Sequence, residues 1–177
     1  SIVCGLAGFA RGAGIYANGG SIIGNTVSGN APVNPSDTIY GGGIYAVLST
    51  VSENMVSNNA ASAVYRGYGG GIYGSGSTIS LNTITGNTTT AGVSYTSYGG
   101  GVYADGGSVT GNTITSNSAA GGGESLGGGV YSSVATVTGN TLSGNSGNKG
   151  GAIYANKGTV TNNVVQSNTT SLNGTVY

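Results

Sequence analysis

A chain of 177 residues with 38 glycines, 5% charged residues and four Lys or Arg against four Asp or Glu is sized for one domain but lies outside ordinary globular composition. The charge balance excludes a basic patch for nucleic acid and a charged membrane-binding surface. No apolar run approaches the ~20 residues of a membrane-spanning helix, and apolar residues, 37% of the chain, are spread so evenly that a narrow, elongated core is expected.

Residues 1–12 form an N-terminal segment. The chain begins at Ser1 rather than Met, which reads as a mature, processed chain whose place is extracellular or at the cell surface. The single cysteine, Cys4, permits no internal disulfide. Ile2, Val3 or Cys4 can supply the last strand of an earlier rung, so Ile2 and Val3 are expected to form one assembly end.

Residues 13–168 hold a unit repeated six times. Aligning Tyr16, Tyr45, Tyr73, Tyr103, Tyr131 and Tyr154 brings three aliphatic columns into register. One place earlier stand Ile15, Ile44, Ile72, Val102, Val130 and Ile153; six places later Ile22, Val51, Ile79, Val109, Val137 and Val160; eleven places later Val27, Val56, Ile84, Ile114, Leu142 and Val165. Two asparagine columns are as regular: Asn25, Asn54, Asn82, Asn112, Asn140 and Asn163, then Asn30, Asn59, Asn87, Asn117, Asn145 and Asn168. Each unit therefore runs Gly-Gly-Ile-Tyr, a Gly-rich turn, Thr-Val-Thr, an Asn turn, Thr-Leu-Ser and a second Asn turn.

Each aliphatic residue is flanked by small or hydroxylated neighbours, the period-two pattern of a short strand with one buried face. Recurrent Gly and β-branched residues disfavour helix. The spacing predicts an all-β, single-stranded parallel β-helix of about six rungs, each with three short strands, Asn ladders at the corners and a Tyr stripe facing out. Asn suits these corners because it tolerates left-handed backbone and pairs with the identical amide one rung away. The Tyr spacing is 23 residues between Tyr131 and Tyr154 and 28 to 30 elsewhere, with the excess always after the second Asn. "APVNPSDTIY", "AASAVYRGY", "TTTAGVSYTSY" and "SAAGGGESL" are accordingly expected as insertion loops at one corner.

Residues 169–177 begin a seventh rung, with Val176 in the aliphatic slot and Tyr177 lying 23 residues beyond Tyr154. Val176 and Tyr177 are expected to form the other assembly end, since neither terminus carries a polar cap and an uncapped stack invites edge-to-edge growth.

"GNTVSGN", "LNTITGN", "GNTITSN" and "GNTLSGN", alternating with "GGGIY" or "GGGVY", resemble the right-handed parallel β-helix repeats of the pectate-lyase-like superfamily. "GGAI", with an aliphatic-x-x-Asn element, is also similar to the repeats of polymorphic outer-membrane proteins and autotransporter adhesins, which carry Phe where this chain has Val, Ile or Leu. The resemblance covers residue 13 onward and implies the fold far more strongly than a function.

Enzymatic relatives of this fold need clustered acids. Here Asp37 and Glu124 belong to insertions three rungs apart, Glu53 to a corner and Asp105 to the turn after Tyr103. There is no His, so neither a Ser-His-Asp site nor a histidine metal site is possible. No catalytic residue, metal or cofactor is expected. The "GGG" triplets lack the GxxxxGK[ST] phosphate-loop pattern and read as close backbone packing. Asn87, Asn168 and Asn173 match the glycan-acceptor pattern, as chance allows in an Asn- and Thr-rich chain.

Three functions follow. The first is a structural subunit that stacks head to tail with itself into a filament or surface fibre. The second is an adhesin or passenger fragment whose loops and Tyr stripe bind a host surface or glycan. The third is ice binding through Thr-x-Thr ladders, a stripe interrupted by Ile23, Met55, Val164 and Gln166.

Overall fold

The computed structural model describes residues 8–32 and 37–173. Every strand in it pairs in parallel, and no helix occurs among the described residues. Strands from successive rungs stack into three sheets around a main core that runs along the stack, with a smaller separate cluster of Ala10, Ile39, Ala61 and Ala63. Ile2, Val3, Val176 and Tyr177, the expected assembly ends, lie outside the described residues.

The three aliphatic columns are the core. Ile44, Ile72, Val102, Val130 and Ile153 are fully buried, as are Val51, Ile79, Val109 and Val137, and Val56, Ile84, Ile114 and Leu142. Ile15, Val160 and Val165, in the outermost rungs, are partly buried against them. Burial of such a side chain contributes about 1.5 to 3 kcal/mol, and stacking repeats it at every rung without a large core cross-section.

Two expectations about the rung are corrected. The Gly-rich turn after each Tyr does not separate two sheets: Ile15–Ile23 and Ile44–Ser52 run through it unbroken, and in later rungs, where a turn interrupts them, the Ile-Tyr and Thr-Val-Thr strands still belong to one sheet. The inserted segments are not loops throughout. Ala60–Ser62 and Arg66–Tyr68, Thr88–Ala91 and Ser97–Tyr98, and Ser118–Gly121 and Ser125–Leu126 are strand pairs that build the third sheet, leaving only short tips outside it. Where the insertion is absent, Ser146–Lys149 pairs with both Ser118–Gly121 and Ser125–Leu126, so two strand columns merge into one. The physical reason is edge satisfaction: backbone N–H and C=O groups in the insertions have the same groups one rung away to pair with.

The Gly triplets turn the chain from the third sheet into the first. In Gly99-Gly100-Gly101, Gly99 has φ +65, and a Cβ on Gly100 would lie 2.4 Å from the carbonyl oxygen of Gly128 and from the backbone of Ser118. Only a residue without a side chain lets these backbones approach so closely.

Candidate functional site

The Asn columns form two buried ladders with one repeated geometry. The Asn82 backbone N–H and Nδ2 both donate to Asn112 Oδ1, at 2.9 Å each. Asn82 Nδ2 also donates to the Val51 carbonyl of the preceding rung at 2.9 Å. In the second ladder Asn87 donates to Asn117 Oδ1 and to the Val56 carbonyl in the same way. The Asn82 side chain thereby satisfies the Asn54 N–H and Val51 carbonyl of the preceding rung and the Ser80 carbonyl of its own, and reaches the Asn112 side chain of the next, which is how a polar residue is buried here at little cost.

The ladder Asn residues themselves are not left-handed, contrary to the sequence-based expectation. The residue before each one is: Gly24, Glu53, Leu81, Gly111, Gly139 and Asn162 precede the first ladder, and Gly29, Asn58, Gly86, Ser116, Gly144 and Ser167 the second, all at φ between 53 and 68. The turn is made one position early, and that aims the following Asn side chain inward.

The ladder is directional, so its two ends differ. Asn25 and Asn30 donate to Asn54 and Asn59, but among the described residues nothing donates to their own Oδ1 atoms. Asn163 and Asn168 accept from Asn140 and Asn145 through Oδ1, while among the described residues their backbone N–H groups find no acceptor. The carbonyls of Ile22 and Val27 accept from Asn54 and Asn59 Nδ2; those of Val160 and Val165, at the equivalent place in the last rung, receive no described donor. One end thus offers acceptors where the other offers donors, and the reverse.

Tyr16, Tyr45, Tyr73, Tyr103, Tyr131 and Tyr154 stack with ring centroids 5.0 to 5.4 Å apart and planes within 13°. They do not stand alone. Tyr40, Tyr68 and Tyr98 form a second stack at 4.9 Å that meets the first edge-on, for example Tyr40 to Tyr73 and Tyr68 to Tyr103 at 5.1 Å. Its members stand five places before Tyr45, Tyr73 and Tyr103, directly ahead of each Gly triplet, a spacing legible in the sequence that the alignment on the first column passed over. Tyr131 is buried, while Tyr16 in the first rung is 55% exposed. Burial raises the phenol pKa of Tyr73 and of Tyr131 to about 12, and that of Tyr103 further still, with neighbouring Tyr and Asp105 charges adding to desolvation. The ring faces are turned to one another, so the column presents mostly edges outward.

The hydroxyl stripes lie on two sheet faces. Thr83, Thr113 and Thr141 share one column and Thr85, Thr115 and Ser143 the next. Thr115 Oγ1 donates to Thr85 Oγ1 at 3.1 Å. The interruptions fall in outer rungs: Ile23 and Met55 in the first two, Val164 and Gln166 in the last.

Among the described residues no three His, Cys, Asp or Glu side chains cluster as a metal site. Glu124 is ion-paired with Lys149, and Glu53 is exposed at its left-handed corner. Asn87, one of the glycan-acceptor matches, is fully buried with its amide in the ladder, which withdraws it from modification in the folded chain. No helix of the described residues is long and apolar enough to cross a membrane. No protein-family model, curated protein or solved structure matches this chain.

Proposed function

We propose that this protein is a non-enzymatic structural subunit, extracellular or at the cell surface, that stacks head to tail into a filament. The observation that carries this reading is the complementarity of the ladder ends. Set one rung beyond the last, the first rung of a second copy would take the Asn163 and Asn168 N–H groups on the Oδ1 atoms of its Asn25 and Asn30. Its Asn25 and Asn30 Nδ2 groups would donate to the Val160 and Val165 carbonyls. The join repeats the internal rung contact, and being heterologous it does not close on itself.

The edge strands point the same way, since Thr26–Ser28 and Val164–Gln166 are the two outermost described strands of their six-stranded sheet and an open edge templates further pairing. Likeness of the repeats to those of adhesins and the pectate-lyase-like superfamily supports a location outside the cell. The low charge removes the usual electrostatic barrier to self-association. Electron microscopy of the concentrated chain is the test: unbranched fibres of single-rod width are expected, and a field of isolated short rods at every concentration would overturn the reading.

A further inference from the structure

Two tyrosines stand apart from both stacks. Tyr65 lies in the tip between Ala60–Ser62 and Arg66–Tyr68, and Tyr95 in the tip between Thr88–Ala91 and Ser97–Tyr98, one rung along. The tips pack closely enough that a Cβ on Gly92 would fall 2.2 Å from the Val64 carbonyl oxygen. This brings the two rings to 4.8 Å between centroids with their planes at 72°. Tyr65 is 42% and Tyr95 38% exposed.

We propose that Tyr65 and Tyr95 are an oxidative cross-linking site, joined as dityrosine by a haem peroxidase using hydrogen peroxide. Two phenol rings bonded directly through their ortho carbons hold planes twisted apart and centroids only slightly closer than this pair already has. The stacked columns are the opposite case. Within each column the planes lie within 13° of one another, and the edge-on pairs between columns, such as Tyr68 and Tyr103 at 85°, are less exposed than the tip pair and held by stacked neighbours, so ortho carbons cannot swing together without breaking a stack. Their most buried phenols also resist the proton loss that oxidation requires.

The chemistry balances as follows. Each phenol gives one electron and one proton to the peroxidase and becomes a phenoxyl radical. The two radicals join through a new C–C bond between ortho carbons, and each ortho hydrogen then moves to its own oxygen, restoring both phenols. The pair loses two hydrogen atoms, and one hydrogen peroxide becomes two waters. The product staples consecutive rungs through the tips, the parts of the molecule outside the ladder network, and such a covalent closure restrains the unfolded chain. The site is complete within one molecule and does not depend on filament formation.

The test uses the full chain at high dilution with a plant peroxidase and limiting hydrogen peroxide. Dityrosine fluorescence is expected, and mass spectrometry after proteolysis should find the Tyr65 and Tyr95 peptides joined and two hydrogens lighter than their sum. Tyr65→Phe and Tyr95→Phe keep the ring and its packing; each should abolish the fluorescence with an unchanged strand signal in circular dichroism, whereas Tyr16→Phe should leave it intact. Linkage mapping to other tyrosines, fluorescence undiminished in both tip variants, or no linkage under conditions that couple N-acetyltyrosine would overturn the proposal.

Discussion

Asn140 Oδ1 accepts two hydrogen bonds from Asn112, one from its backbone N–H at 2.9 Å and one from its Nδ2 at 3.0 Å. Asn112 in turn accepts both groups of Asn82 and donates to the Ile79 carbonyl. Such a relay needs an acceptor and a donor on one short side chain. Asp lacks the donor and a longer amide overshoots, so the column is specific to Asn.

Asn112→Ala is therefore expected to destabilise by about 3 kcal/mol or more, because it strands the Asn82 N–H and the Ile79 carbonyl in a dry interior. Ser116→Ala, at an exposed corner of the same rung, should cost no more than about 0.5 kcal/mol. Denaturant unfolding of both variants checks this; equal midpoints would refute the ladder's role.

Backbone handedness gives a test of opposite sign. Leu81 holds φ 57 and is 63% exposed. Leu81→Gly should stabilise by about 1 kcal/mol, since left-handed backbone penalises L side chains by roughly that amount. Gly127→Ala should prevent folding, because its Cβ would sit 2.2 Å from the Val130 carbonyl oxygen. A melting temperature lowered by Leu81→Gly would contradict the corner geometry.

The tyrosine column makes stability fall in alkali. Tyr73 and Tyr131 are raised from 10.0 to about 12 by burial and by neighbouring charges, so the folded state holds protons that the unfolded state releases. Their contribution is fully present below pH 10 and is lost as pH rises from 10 to 12. Unfolding free energy measured across that window should decline, and phenolate absorbance should rise late for the column tyrosines; a flat profile would show the rings to be solvated.

Edge blocking separates folding from assembly. At the first residue of this strand the N–H reaches back to the preceding rung, as Met55 N–H does to the Asn25 carbonyl at 2.8 Å and Thr83 N–H to the Asn54 carbonyl at 2.9 Å. The equivalent Thr26 N–H faces outward from the first rung. Thr26→Pro removes that donor and no bond seen among the described residues, and proline is tolerated at a sheet edge. Fibres should disappear while the melting temperature changes little, as microscopy and calorimetry on one preparation would report.

Much of this architecture is legible in the sequence because a solenoid is nearly one-dimensional. Val109, for instance, meets Ile79 and Val137, the residues at the same place in the neighbouring repeats, so aligning repeats is equivalent to listing contacts. That reasoning stops where repeats cease to align. Tyr40, Tyr68 and Tyr98 still align, each five places before a column Tyr, and stack in register, but the tips between them and the second Asn of each rung do not. Tyr65 and Tyr95 meet only because two unlike tips fold over one another.

The sequence by itself determined the parallel β-solenoid, its three aliphatic columns and its two Asn ladders, because a strict period repeats every short-range choice at each rung. Only the tertiary structure decided that the insertions become a third sheet, that the residue before each ladder Asn carries the left-handed turn, and that a second tyrosine stack meets the first edge-on. These outcomes depend on backbone groups and ring faces seeking partners across rungs, and an irregular segment acquires such partners only when the stack has formed.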